Sequence, residues 1–373
     1  MPFPLHDPVG PSADPLPATA LQVLTGIASR AAETDANGVP RSTINELAAA
    51  GLLGVPLTPA SAAKELAEVL AGCDATTWFC WVQHVSPMQV MAAAVDSPQT
   101  PAGAALRDRF LPGLQAGSLL AGVAFAHVRR PGPANPTATR VTGGWRIDGT
   151  LDWVTSWDIA DVIVVTARAV GADDGTLVAF VIPGGHSESP CPTGVNVGEP
   201  LALLAMTGTH TRPVTFENTV IDDHDVLAVV EFEAWLAEDR LRTADTNPAT
   251  FGLIRASVAE LDERATLCKD ELMARQVRAI IAECRQLRAR AYELIGEPDR
   301  EATRPERLAV RAASLDLAVR AATANVVAAA GAAMLSGTST ERRLRESMFL
   351  LVQAQTQDTR AASITFAMRG VSG

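Results

Sequence analysis

The 373-residue sequence carries six histidines and five cysteines, and none of them forms an HExxH or CxxC pattern. A GxGxxG turn after a strand, a phosphate-binding P-loop and a serine nucleophile elbow are absent as well. Hydrolytic and metal chemistry have no motif to rest on, and no metal ligand set is expected. Acid–base work is left to a few side chains. His84 lies in an apolar stretch from Thr76 to Val95 beside Trp78, Phe79 and Trp81. A neutral imidazole there can act as acid or base, or simply be a core histidine held by a backbone carbonyl. Asp239 and Asp245 are carboxylate candidates for a base, or solvated residues of a helix face. His210 is a further candidate, whereas His6, His127, His186 and His224 read as loop histidines.

The elements that must position these residues fall into three stretches, expected at 1–117, 118–229 and 230–373. The first reads as short helices over Ala18 to Thr34, Ser42 to Gly54, Pro59 to Gly72, Ala75 to Val95 and Ala102 to Ala116, with Thr43 and Glu46 at capping-box spacing. From Ser118 to Leu227 the texture changes to Val, Thr and Gly with period-two alternation, predicting six to eight strands. Helical periodicity then returns: Glu231 to Leu261, a long helix through Leu267 to Leu294, another from Leu308 to Ala330, and a last from Leu344 to Phe366. The fold class is therefore α+β: a helical N-terminal domain, a central β-barrel or sandwich, and a C-terminal four-helix bundle. The Ala-rich faces from Ala309 to Ala333 permit close helix packing, and a homodimer or homotetramer through the bundle is expected.

The chain is 47% hydrophobic and 20% charged, which excludes a disordered or fibrous protein. Its net charge of −11 disfavours a general grip on nucleic acid or anionic lipid, so small molecules or protein are the expected partners. Lys64 and Lys269 are the only lysines, and the arginine excess reads as compositional bias. The five unpatterned cysteines read as free thiols in a reducing cytosol. With no signal-peptide pattern at the N-terminus and no window resembling a membrane span, a cytoplasmic protein outside the membrane is expected.

Two blocks carry a family resemblance. Gly144 to Asp161 reads Gly-Trp-Arg-Ile-Asp-Gly-Thr-Leu-Asp-Trp-Val-Thr-Ser-Trp-Asp-Ile-Ala-Asp, and Leu204 to Thr211 reads Leu-Ala-Met-Thr-Gly-Thr-His-Thr before a Val214-to-Ile221 strand. In that order the sequence resembles the acyl-CoA dehydrogenase superfamily of flavoproteins over essentially its whole length. The resemblance implies an FAD site in which Trp153 packs on the isoalloxazine while Val154, Thr155 and Ser156 reach its N5 and O4 edge; the other reading of Trp153 is a sheet-core aromatic. It also puts the Thr76-to-Val95 helix in the wall of the substrate cavity, with Trp81 and His210 as substrate-binding residues and His84 as the catalytic candidate.

The chain departs from the family pattern in three places. Ala126 to Pro133 lacks the Thr and Ser hydroxyls of the usual T-E-P-x-A-G-S-D loop, with Arg129 and Arg130 as substitute phosphate contacts or solvated residues. The R-x-x-F-G segment is not recognisable around Glu263 to Met273. Ala354 stands where the family's catalytic glutamate belongs, and alanine cannot take a proton. The resemblance thus implies a flavin oxidoreductase acting on an acyl-CoA or carrier-protein thioester or a related small organic substrate. The alternatives are a two-component monooxygenase that takes reduced FMN or FADH2 from a partner flavin reductase, and a cofactor-free subunit on the same scaffold.

Overall fold

The computed structural model describes residues 3–12, 15–53, 60–93 and 101–369. Five helices come first: α1 (Ala18–Asn37), α2 (Arg41–Ala49), α3 (Ala60–Cys73), α4 (Ala75–Ala93) and α5 (Pro101–Ala116). α1 buries Ala20, Leu24, Ile27, Ala31 and Thr34, the three- and four-residue spacing of one helix face, and stops at Gly38, whose φ of 96° is open to glycine. The expected Thr43–Glu46 box does not form. α2 starts from Pro40 with no side-chain cap, Thr43 is buried, and Glu46 pairs with Arg30 instead. Gly54, Pro59, Val95 and Pro98 lie outside the described residues.

The next eight strands are β1 (Ala121–Ala124), β2 (Thr137–Val141), β3 (Gly144–Val154), β4 (Val162–Ala169), β5 (Thr176–Pro183), β6 (Val195–Val197), β7 (Arg212–Asp222) and β8 (Val226–Glu231). They form one sheet in the order β6-β7-β3-β2-β4-β5-β8, with β1 beside β4. Pairings are antiparallel except β1 with β4 and β2 with β4, so this is not the helix-flanked parallel sheet of an α/β protein. One face buries Ile147, Leu151, Val154, Ile163, Val165, Phe180 and Phe216 as a core.

The C-terminal helices are α6 (Phe232–Thr243), α7 (Pro248–Cys268), α8 (Glu271–Ile295), α9 (Arg304–Ala329), α10 (Ser339–Val352) and α11 (Gln357–Ala367). Two helices expected to be continuous are broken. Asn247 caps α7 with Pro248 in its first turn, which ends α6 at Thr243. Thr356 caps α11 through a reciprocal bond with Thr359, which separates it from α10. Between α10 and α11, Ala354 takes a left-handed φ of 51°. Contrary to the sequence expectation, the stretch from Arg304 to Met334 is long and apolar enough to cross a membrane by length and composition. Here it packs against α7, α8, α10 and α11 as a bundle helix. Leu253 and Ala256 of α7 join Leu66, Leu70, Trp78 and Trp81 in one core, which fixes the first helices against the bundle. Cys73, Cys80 and Cys284 are buried and Cys268 is exposed at the end of α7; all five thiols are free.

Candidate functional site

The two blocks of the family resemblance meet at the end of β3. Between Leu151 and Val154 the register with β7 slips, and a slip of this kind re-aims side chains. Asp152 and Trp153 therefore both face outward, and Trp153 is 51% exposed while Leu151 and Val154 are buried. Trp153 is thus not a sheet-core aromatic: its indole lies open at the surface. Val154 is in the sheet core.

Beyond it the chain turns sharply. Ser156 adopts a left-handed φ of 66°, its N–H donates to the Thr209 carbonyl, and the Trp157 N–H donates to that of His210. These bonds weld the two resemblance blocks together. A file of hydroxyls follows: Thr209 Oγ1 donates to the Met206 carbonyl at 2.7 Å, Thr209 and Thr211 Oγ1 lie 2.8 Å apart, and Thr211 and Thr155 Oγ1 lie 3.1 Å apart. Each hydroxyl has one proton, so the direction is fixed: Thr155 donates to Thr211, which donates to Thr209. Thr155 keeps only lone pairs to offer outward. The fully buried Ser156 Oγ has no hydrogen-bond partner in the geometry and lies against the Cys80 thiol.

Three other candidates have structural duties. His84 is fully buried, accepts the Ala121 N–H at Nδ1 (3.1 Å), and ties α4 to β1. Burial pulls its pKa down to about 4, against the opposing pull of the Leu114 carbonyl. These contacts fit the core-histidine reading of His84. Trp81 is 5% exposed, its indole N–H donates to the Leu52 carbonyl at 2.7 Å, and it packs in the helical core. His210 Nε2 donates to the Val39 carbonyl at 2.9 Å and Nδ1 lies 3.4 Å from Asp158, so this histidine clips the 204–211 loop to the α1–α2 turn. Gly38 is what lets it close: a Cβ there would stand 2.8 Å from His210 Cε1.

On the other side of Trp153 the loop without hydroxyls is a short 3-10 turn, Ala126–Arg129. Neither arginine is free for phosphate. Arg130 pairs with Asp152, and Arg129 grips Asp239 of α6 with two bonds of 2.7 Å. Asp239 is 2% exposed, so the solvated-face reading of this residue does not hold. Asp245 is taken by Arg300 and Arg307. Arg311 of α9 reaches between them, donating to the carbonyls of Asp245 (3.1 Å) and Gln353 (2.9 Å) beside Ala354. No cluster of metal-binding side chains occurs among the described residues. The arrangement offers an open aromatic platform, a lone-pair hydroxyl and a charged wall, and both carboxylate candidates are taken up in arginine pairs.

No protein-family model matches the chain. It is 31% identical over 128 residues to benzylmalonyl-CoA dehydrogenase of Aromatoleum aromaticum, covering 33% of this chain and 31% of that protein. It is 33% identical over 94 residues to mitochondrial isovaleryl-CoA dehydrogenase of Solanum tuberosum, covering 25% and 21%. The matched segments span less than a third of either relative's length. Similarity to solved structures extends over nearly the whole chain. Butyryl-CoA dehydrogenase from Megasphaera elsdenii matches with a TM-score of 0.74 at 16% identity, over 96% of this chain and 100% of that one. KijD3 in complex with FMN and a dTDP-linked sugar matches at 0.71 and 19%, over 96% and 95%. Dibenzothiophene monooxygenase TdsC from Paenibacillus sp. A11-2 matches at 0.68 and 18%, over 94% and 96%.

Proposed function

From its acyl-CoA dehydrogenase fold and its resemblance to that superfamily, we propose that this chain is a flavin-dependent oxidoreductase with the flavin ring laid on Trp153. The observation that carries the reading is the half-exposed indole, thrust outward by the slip at the end of β3 among buried neighbours. Partial likeness to two acyl-CoA dehydrogenases supports it. The residues fit a planar ring better than a phosphate chain. Trp153 offers a stacking face, but the 126–133 stretch offers no hydroxyl, and its two arginines already hold Asp239 and Asp152. A bound flavin would supply two-electron redox chemistry; the protein's part is to seat the ring, exclude water and orient a small organic substrate.

Two observations favour a diffusible, reduced flavin over a resident FAD. Dehydrogenation of an acyl thioester needs a base for the α-proton, yet Ala354 stands at the family position and Asp239 and Asp245 are each held by arginine. Thr155 offers a lone pair and no proton, which suits the N–H of a reduced ring better than the bare nitrogen of an oxidised one. This is the two-component monooxygenase reading, with reduced FMN or FADH2 delivered by a flavin reductase. The apolar groove of about 540 Å³ between α7, α8 and α9, lined by Leu272, Val277, Ile280 and Val327, supports a homodimer through the bundle.

The test is a visible spectrum of purified protein followed by anaerobic titration with FAD and FMN in both redox states. Colourless protein that binds reduced flavin supports the monooxygenase reading, and co-purified FAD supports the dehydrogenase. Binding of neither removes the flavin assignment and leaves the cofactor-free subunit.

A further inference from the structure

Five arginines, Arg129, Arg300, Arg304, Arg307 and Arg311, gather where α6, α9 and the α10–α11 link meet, facing three carboxylates, Asp239, Asp245 and Asp358. Four of them are paired. Arg129 is spent on Asp239, Arg304 on Asp358, and Arg300 and Arg307 share Asp245. Arg311 has no carboxylate within ion-pair distance among the described residues. Its two terminal nitrogens donate to backbone carbonyls, its Nε–H has no partner, and the residue is 5% exposed. Burial, then the like charge of Arg129, pulls the guanidinium down to about 10, a small part of which Asp245 returns. A buried cation without a counter-ion is expensive to hold, and two neutral carbonyls do not neutralise it.

We propose that Arg311 recognises an anionic group, a carboxylate or a phosphate ester, carried by the substrate of the Trp153 site. The inference rests on the reading of that site given above, because a chain of contacts joins the two. Trp153 follows Asp152, which pairs with Arg130; the adjacent Arg129 binds Asp239; and Arg311 stands within electrostatic reach of Arg129. Gln353, whose carbonyl Arg311 holds, is only half-buried, as are the adjoining Ala354 and Gln355. Ala354, next to the Gln353 carbonyl that Arg311 holds, brings no carboxylate of its own. Planar donors suit either oxyanion. The substrate class is thus a small organic anion, and not a purely aliphatic acyl chain.

The test uses the full chain without flavin. Succinate and inorganic phosphate are titrated by calorimetry against sodium chloride at equal ionic strength, on the wild type, Arg311→Lys, Ala354→Glu and Arg290→Gln. Arg290 is an exposed arginine of α8 paired with Glu293 and Glu306. One of the two anions should bind saturably to the wild type and to Arg290→Gln, and whichever binds tighter names the substrate's group. Arg311→Lys should weaken it about tenfold or more, the scale of a lost hydrogen bond to a charged group. Ala354→Glu, which supplies the carboxylate internally, should abolish binding and raise the melting temperature. Absence of saturable binding to the wild type, or unchanged affinity in Ala354→Glu, overturns the proposal even if Arg311→Lys fails to fold. Trp153→Ala separates the two readings: anion binding that survives when flavin binding is lost stands without the flavin seat, and the reverse result discards only the role of Arg311.

Discussion

Arg129 closes on Asp239 with two parallel hydrogen bonds of 2.7 Å, joining the turn after β1 to α6. The carboxylate is 2% exposed, and Arg242 lies 3.9 Å away as a second cation. Removing one partner of such a pair leaves a charge buried alone, so Asp239→Ala should lose about 3–5 kcal/mol of stability. Removing both in Arg129→Ala/Asp239→Ala should recover part of that loss. Urea denaturation of the three variants measures the cycle, and additive losses would show that the pair is not coupled.

Glu346 gives the bundle a pH dependence of definite sign. Burial, reinforced by the nearby Asp74 and opposed by Arg342, raises its carboxyl from 4.5 to about 7. The folded protein therefore holds a proton that the unfolded chain releases, and this stabilisation is full below about pH 4.5 and lost as pH rises to about 7. Glu346→Gln should flatten that slope and stabilise the protein by on the order of 3 kcal/mol above pH 7. Unfolding midpoints at pH 5 and pH 8 decide it, and an unchanged difference between them in the variant would remove Glu346 as its source.

His84 should behave as a structural residue. Its folded pKa of about 4 lies below the ordinary 6.5, so its contribution is present above pH 6.5 and fades as pH falls toward 4. His84→Ala leaves the Ala121 N–H without its acceptor, at a cost of about 1–3 kcal/mol. Flavin affinity of the folded variant should match the wild type in fluorescence titrations. A thermally unchanged protein that loses flavin would restore His84 to the site.

The sequence made the helix–sheet–helix order legible, because periods near 3.6 and two are imposed by burial of one face. The breaks at Thr243 and Val352 were not, since periodicity continues across a cap; yet Asn247-Pro248 and Thr356 with Thr359 are cap chemistry that could have marked them. Trp153 stood in a readable motif, but its exposure depends on a slip against β7, a strand about sixty residues later. The arginine cluster was half-legible. Arg300, Arg304, Arg307 and Arg311 recur at three- and four-residue spacing, the pattern of one helix face, and compositional bias alone does not produce that spacing. The aspartate that Arg300 and Arg307 share lies some sixty residues away, which no local pattern reveals.

The flavin seat is tested most directly by anaerobic titration of the wild type and Trp153→Ala with reduced and oxidised FMN and FAD, following quenching of tryptophan fluorescence. Because the indole is half-exposed, the substitution should alter folding stability by less than about 1 kcal/mol, so lost binding cannot be blamed on unfolding. Flavin should bind saturably to the wild type, tighter when reduced, and at least roughly tenfold more weakly to Trp153→Ala, the scale of a lost aromatic stacking contact. Equal affinity in the two proteins, or no saturable binding of any flavin to the wild type, would contradict it.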